Sequence, residues 1–420
     1  ERRTKAVELL SDVNLPDPEQ IVNAYAHELS GGQRQRAMIA MALALNPKIL
    51  IADEPTTALD VTTQAQILNL IKEMQSLHNT GVLFITHDFG VVADIADRVA
   101  VMQEGKIVEA GTVDQVLNNP SHPYTRALIK AVPSLTPRAP RKKSDEKIIS
   151  VKILNKTFGA GKSFFGFGKP SRIVKAVQDV SLDLFQGETL GIVGESGSGK
   201  STLARCIIKL MDFDSGDVLL QGENISKLAR AEMRPFRKKI QMVFQDPFAS
   251  LNPRIKVGSI IAQGPIVQGT SKMLAEERAQ ELLSIVGLDS RAFDRYPHEF
   301  SGGQRQRIGI ARALALNPEV LVADEPVSAL DVSIQAQILK LLDDIRIKMN
   351  LSMVFITHDL RVAAQVCDRL VVMQYGKVVE VGTTLEMFEN PQHQYTQELL
   401  SAVPGKAWKK ESSNAKPIKK

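Results

Sequence analysis

A long segment occurs twice in this chain, and no other feature limits the possible folds as strongly. Leu29 to Asp60 reads LSGGQRQRAMIAMALALNPKILIADEPTTALD, and Phe300 to Asp331 reads FSGGQRQRIGIARALALNPEVLVADEPVSALD, with 23 of 32 positions identical. The offset of 271 continues without gaps through His87 and His358, Tyr124 and Tyr395, and Pro133 and Pro404. Self-similarity on this scale marks a duplicated domain. A length of 420 residues independently argues for two cores.

The copies differ in completeness. The second begins near Lys147 and runs about 125 residues before reaching the counterpart of Glu1. Those residues hold a phosphate-binding loop that the first copy lacks, so the sequence reads as a chain missing the start of its first domain. The expected organisation is 1–133 as the C-terminal part of a first domain, 134–146 as a linker, 147–404 as a complete second domain and 405–420 as a basic tail. The linker, SLTPRAPRKKSDE, is Pro- and basic-rich without apolar periodicity, which predicts a short exposed connection. The tail GKAWKKESSNAKPIKK predicts a solvated end.

Composition excludes several classes. With 44% apolar and 24% charged residues, the chain is neither fibrous nor wholly disordered. No window approaches 18 consecutive apolar residues, so no transmembrane helix is expected. A net charge of +5 does not by itself indicate nucleic acid, and no nucleic-acid partner is expected. Two cysteines, Cys206 and Cys367, cannot build a disulfide framework and suit a reducing compartment.

The second copy carries the clearest chemistry. Thr189–Val193 has the length and composition of a buried strand, and the apolar stretch TLARCIIKLM after Ser201 predicts a helix. Between them stand Gly194, Glu195, Ser196, Gly197, Ser198, Gly199, Lys200 and Ser201, followed by Thr202. This is G-x-x-x-x-G-K-[ST] in its strand–loop–helix setting. The glycines let backbone N–H groups surround phosphate oxygens, and the helix N-terminus adds a favourable dipole. Lys200 is expected at the β- and γ-phosphates, with the Ser201 hydroxyl on magnesium.

Val320–Ala323 reads as a second buried strand, ending in Asp324 and Glu325. Carboxylates at a strand's C-terminal end lie on the ligand edge of an open α/β sheet. Asp324 is expected to hold magnesium through water, and Glu325 to orient or deprotonate the attacking water. His358 follows the strand Met353–Thr357 on the same edge, as a γ-phosphate sensor or as a capping histidine. Gln245, in VFQDPFASLNPR, can reach the metal or the attacking water. Ser301, Gly302, Gly303 and Gln304, like Ser30, Gly31, Gly32 and Gln33, precede long helices. They read either as anion-binding helix starts or as simple N-caps.

The order phosphate loop, Gln245, SGGQ, Asp324–Glu325, SALD and His358 resembles the ATP-binding cassette (ABC) family over nearly the whole chain. The resemblance implies an α/β fold of tandem P-loop NTPase domains, each a RecA-like sheet core with a helical signature subdomain. It also implies that the two cassettes pair within the chain. Lys200, Ser201, Gln245, Asp324, Glu325 and His358 would then face Ser30–Gln33, while Ser301–Gln304 belong to a second site with Asp53, Glu54 and His87. Asp60 and Asp331 match loops that communicate across such an interface. Phe158 matches the aromatic that stacks on adenine, a core phenylalanine being the alternative.

The endings NPSHPYTRALIKAVPS and NPQHQYTQELLSAVPG, with VFQDPFASLNPR, resemble the peptide and nickel importer branch in its tandem fused form, as in bacterial glutathione, dipeptide or microcin-type ATP-binding proteins. That branch implies an ATP hydrolase with ATP and Mg2+, peripheral on the cytoplasmic face of the bacterial inner membrane. Its partners would be two permease subunits and, through them, a substrate-binding protein. A soluble tandem ATPase of ribosome or DNA repair, and a catalytically impaired binding module, are the competing classes. The insert Gly159–Arg172 reads as a surface hairpin.

Overall fold

The computed structural model describes residues 2–56, 59–141, 144–159, 173–328 and 330–408. The expected hairpin at 159–172 falls almost wholly outside them, as do residues 409–420 of the expected tail. The chain divides into two units: Pro133–Gln397, and residues up to Val132 together with those from Glu398 onward.

The second unit is built on a six-stranded sheet. Its strands lie in the order Ile240–Val243, Val320–Asp324, Ser352–Ile356, Thr189–Val193, Arg369–Gln374 and Lys377–Thr383. The first five run parallel, and the last pairs antiparallel with Arg369–Gln374. Thr189–Val193, Val320–Asp324 and Ser352–Ile356 are buried at every position. Strands covered on both faces need such unbroken apolar runs. Leu190, Ile192, Val322, Val354 and Ile356 form the core with Leu203 and Ile207 of the helix that follows the phosphate loop. A second, antiparallel sheet orders Val174–Phe185, Lys147–Phe158, Ser215–Leu220 and Glu223–Asn224. A helical group contains Val257–Val267, Lys272–Ile285 and Gly302–Leu314. The α/β fold with a P-loop core and a helical subdomain is therefore as the motifs imply.

Local expectations change in places. The helix after the phosphate loop begins at Lys200 itself and ends at Ile207, four residues before the apolar run stops. Lys209 adopts a left-handed φ of 54° there, and the Leu210 N–H returns to the Arg205 carbonyl. Such a cap closes a helix whatever the apolarity beyond it. The linker is also not simply exposed. Arg138 donates to Asp368 at 2.6 Å, and Arg141 grips both oxygens of Asp368 at 2.7 Å and reaches Asp343 at 3.1 Å. Gln365 Nε2 donates to the carbonyls of Ser134 and Thr136. Residues 133–141 are thus docked along the second unit's own surface.

In the first unit, Ile49–Asp53 and Gly81–Ile85 form a parallel pair, and Arg98–Gln103 and Lys106–Thr112 form an antiparallel hairpin. Its core gathers Val13, Leu15, Ile39 and Leu43 against Ile67, Leu70, Ile71 and Met74. The parallel strands differ sharply in burial from their counterparts. Ile49 and Ile51 are 67% and 64% exposed, whereas Val320 and Val322 are fully buried. In the second unit the helix Lys200–Ile207 packs on those strands, and the described residues of the first unit contain no equivalent. The expected solvated tail is anchored at its start: the Gly405 N–H donates to Asp94 at 2.7 Å, and Trp408 Nε1 to Asn118 at 3.0 Å, both within this unit.

Candidate functional site

The loop from Gly194 to Gly199 is shaped by close backbone approaches. Gly194 takes φ 146°, and a Cβ there would lie 2.2 Å from the Met373 carbonyl oxygen. Gly199 takes φ 102°, and its Cβ would lie 2.1 Å from the Ala176 carbonyl oxygen. Any side chain at either position would push the loop off the neighbouring strands, so the motif's glycines follow directly from packing. Gly197 and Ser196 lie exposed at the tip, and Thr202 is half-buried in the first helical turn.

Lys200 is 5% exposed, and its ammonium donates to the carbonyls of Gly194 and Glu195, both at 2.8 Å. The helix opens on Gly199 without any side-chain cap, so its first N–H groups face the loop. Unsatisfied N–H groups beside a buried ammonium form an anion site.

Ser201 Oγ donates to Asp324 Oδ1 at 2.9 Å. Asp324 is 1% exposed, and its Oδ2 has no hydrogen-bond partner. Burial is the largest influence on this carboxyl and raises its pKa, against the Ser201 hydrogen bond. A buried carboxylate oxygen without a partner is costly unless something occupies it. One carboxylate with one hydroxyl suits magnesium, which keeps several waters and takes phosphate oxygens as further ligands.

Glu325 lies one residue on, at φ 45°, in the left-handed region that a non-glycine residue rarely enters. Its Oε2 accepts from Gln245 Nε2 at 2.9 Å and stands 3.3 Å from His358 Nδ1. Burial would raise the Glu325 pKa, but the hydrogen bond and charge of His358, with Lys200, outweigh it and the net shift is downward. For His358 burial acts to lower the pKa, yet Glu325 wins and raises it. The site therefore brings together Gln245, Glu325 and His358 on one side, and Lys200, Ser201 and Asp324 on the other.

The first unit repeats part of this. His87 Nδ1 is 3.0 Å from Glu54 Oε1, and Glu54 also sits at a left-handed φ of 44°. Asp53 is exposed, unlike Asp324, and the described residues of the first unit contain no phosphate loop of their own.

In both SGGQ segments the serine caps its helix, an arrangement that leaves the glycine N–H groups at the helix start and is compatible with either reading. Ser30 Oγ accepts from the Gln33 N–H while the Gln33 side chain accepts from the Ser30 N–H, and Ser301 and Gln304 do the same. Both ends of each motif are thereby used in a capping box. Gly303 serves packing, because a Cβ there would lie 2.4 Å from Ile334 Cγ2 on the next helix, and Gly32 stands likewise against Thr63. Gly31 and Gly302 open their helices. Asp60 caps the helix Val61–His78 by accepting from the Thr63 N–H at 2.8 Å, whereas Asp331 makes no side-chain cap bond. Phe158 is 39% exposed, with Lys156 Nζ 5.4 Å from its ring centre, so it is not a core residue. Sequence reasoning missed Tyr395, whose hydroxyl accepts from the Glu195 N–H at 3.1 Å. Its recurrence as Tyr124 was the available signal.

Comparison with known proteins identifies the family. The family model described as ABC transporter matches residues 1–57 and 177–328. A second, described as the C-terminal region of oligopeptide/dipeptide transporters, matches 108–167 and 379–419. The chain is 47% identical to the glutathione import ATP-binding protein GsiA of Salmonella paratyphi A, across 96% of this chain and 69% of the relative. It is 48% identical to the protein of that name from Escherichia coli K12, with the same coverage. Among solved structures, the ATP-binding cassette MJ0796 in a post-hydrolysis state bound to ADP and Pi matches with a TM-score of 0.50. That match has 31% identity and covers 56% of this chain and 98% of that one.

Proposed function

From the premise that the chain belongs to the ATP-binding proteins of ABC importers, we propose that it hydrolyses ATP at the second unit's site to drive uptake of peptides or glutathione-like small peptides. The observation that carries the site assignment is the buried, unpartnered Oδ2 of Asp324 beside Ser201, which follows the Lys200 ammonium in the first turn of the helix Lys200–Ile207. A phosphate cradle without a carboxylate pair would support binding alone, and Glu325 adds the hydrolytic function.

Each residue's part follows from its contacts. Lys200 exchanges its two loop carbonyls for phosphate oxygens, so its charge stays compensated when nucleotide binds. Ser201 and Asp324 would hold Mg2+, with Gln245 within reach of the same region. Bound magnesium would supply charge neutralisation to the departing phosphates. Glu325, fixed by Gln245 and His358, orients the attacking water and takes its proton. His358 stands beside Glu325, where it can donate to the terminal phosphate. Phe158 offers an exposed ring for the adenine base.

An importer ATPase works on membrane permease subunits, and a substrate-binding protein would deliver the cargo to them. Among the described residues no helix is long and apolar enough to cross a membrane, which accords with attachment through such subunits at the inner face of the membrane. The matches to the oligopeptide/dipeptide region favour this over a ribosomal or repair ATPase.

The test is Lys200→Ala. Removing a charge-assisted contact worth about 1.5–3 kcal/mol should weaken ATP binding by roughly 10- to 150-fold. Wild-type affinity in that variant would place the phosphate site elsewhere.

A further inference from the structure

The phosphate loop is braced from outside at several points, and one brace comes from the C-terminal extension. The Gly376 N–H donates to the Ser198 carbonyl at 3.0 Å, and Gly199 lies against the Ala176 carbonyl. The third brace is the Tyr395 hydroxyl, accepting from the Glu195 N–H at 3.1 Å. Glu195 is a sensitive place to hold, because its own carbonyl and that of Gly194 are the two acceptors of the Lys200 ammonium.

Tyr395 is itself firmly placed. It is 4% exposed and stands in the first turn of the helix Gln394–Ser401. Its N–H donates to His393 Nδ1 at 3.1 Å, and the N–H groups of Gln392 and His393 donate to the Glu380 carboxylate at 2.8 and 3.1 Å. Glu380 belongs to the edge strand Lys377–Thr383 of the main sheet. A short line of hydrogen bonds thus runs from the sheet edge through the NPQHQYT turn to the phosphate loop.

We propose that Tyr395 is a positioning residue for nucleotide binding: it fixes the Glu195 peptide so that the loop stands ready for phosphate before ATP arrives. The part of the extension matched by the oligopeptide/dipeptide model that belongs to the second unit, residues 379–397, thereby acts on that unit's ATPase core. A loop held in its binding form loses less conformational freedom on binding, so the brace raises affinity. Because the loop holds phosphates in ground and transition states alike, the effect falls on KM and not on kcat.

The duplication supplies an internal control. Tyr124 occupies the same turn in the first unit, where its N–H donates to His122 Nδ1 at 3.2 Å and Glu109 accepts from the Ser121 and His122 N–H groups. The described residues of the first unit contain no phosphate loop for Tyr124 to brace.

The inference rests on the proposed function, and one experiment separates the two. ATP affinity and steady-state hydrolysis are measured with magnesium for the full chain, for Tyr395→Phe and for Tyr124→Phe, with thermal melts of each. Phenylalanine keeps the ring and removes the hydroxyl, its donor and acceptor together. The expected result is a roughly three- to tenfold rise in Kd and KM for Tyr395→Phe, with kcat within twofold of wild type. Tyr124→Phe should match wild type. An unchanged Kd in Tyr395→Phe, or an equal loss in Tyr124→Phe, overturns the positioning role while leaving ATP binding intact. A wild-type chain that binds no ATP overturns the proposed function and this inference with it.

Discussion

Glu325→Gln is the sharpest separation of chemistry from structure that this site allows. Both fastenings of the side chain converge on one atom, Oε2, at 2.9 Å from Gln245 and 3.3 Å from His358. A glutamine can place its amide oxygen there and keep both contacts as neutral hydrogen bonds. The backbone cost is also unchanged, because Glu and Gln fare alike at a left-handed φ of 45°. What is lost structurally is charge assistance, about 1 kcal/mol per contact. In a unit of this size that lowers Tm by a few degrees, about 2–4 °C per kcal/mol.

The chemical loss is larger. Without a carboxylate beside the water, turnover should fall by about 10²–10⁴, or roughly 2.7–5.4 kcal/mol of barrier. ATP affinity should stay within a few-fold, since Lys200, Ser201 and Asp324 are untouched. Phosphate release at saturating ATP, equilibrium binding of ATP and a thermal melt on the same preparation read all three quantities. A turnover loss below about threefold refutes the role of Glu325. Parallel loss of affinity and turnover shows that the residue supports the loop instead.

Two further outcomes concern stability. Asp368 is 17% exposed and accepts from Arg138, Arg141 and the Thr189 N–H, so Asp368→Ala leaves two arginines short of partners. The expected cost is about 2–4 kcal/mol with faster tryptic cleavage at Arg138 and Arg141; unchanged cleavage would mean that the segment is not docked. Glu109 is held down to about 2, from 4.5, first by the Thr125 hydroxyl and then by the Ser121 N–H. A carboxyl whose folded pKa is depressed stabilises the fold above its unfolded pKa and loses that contribution as pH falls through its folded one. Glu109→Gln should therefore lower Tm at neutral pH, with the difference from wild type closing between pH 4.5 and 2. A difference constant over that window would refute the hydrogen-bonded carboxylate.

The parts legible in the sequence were those fixed by local spacing. The phosphate loop and its flanking strand follow from glycine positions and an apolar run, and Asp324, Glu325 and His358 from their places at strand ends. The SGGQ segments carried two readings because Ser-x-x-Gln writes a capping box while paired glycines suggest an anion site, and only coordinates show where the side-chain oxygens go. The docking of Arg138 and Arg141 was hidden because their acidic partners lie more than 200 residues away. Composition near a proline-rich stretch reports only that no local core exists. The helix end at Ile207 escaped because Lys209, an ordinary helix former, takes the left-handed turn. The left-handed backbone at Glu54 and Glu325 has no signature in residue type at all.

That backbone has a consequence for how the carboxylate–histidine pair is specified. Glu54 and His87 reproduce it in a unit whose described residues hold no phosphate loop, and with strands that are partly bare to solvent. The alignment is thus a property of two neighbouring parallel strands and the turns that leave them, here Ile49–Asp53 and Gly81–Ile85. Binding energy from the nucleotide is not needed to assemble it. A segment of fewer than forty residues, from Ile49 to His87, contains both members of the pair and both strands that align them.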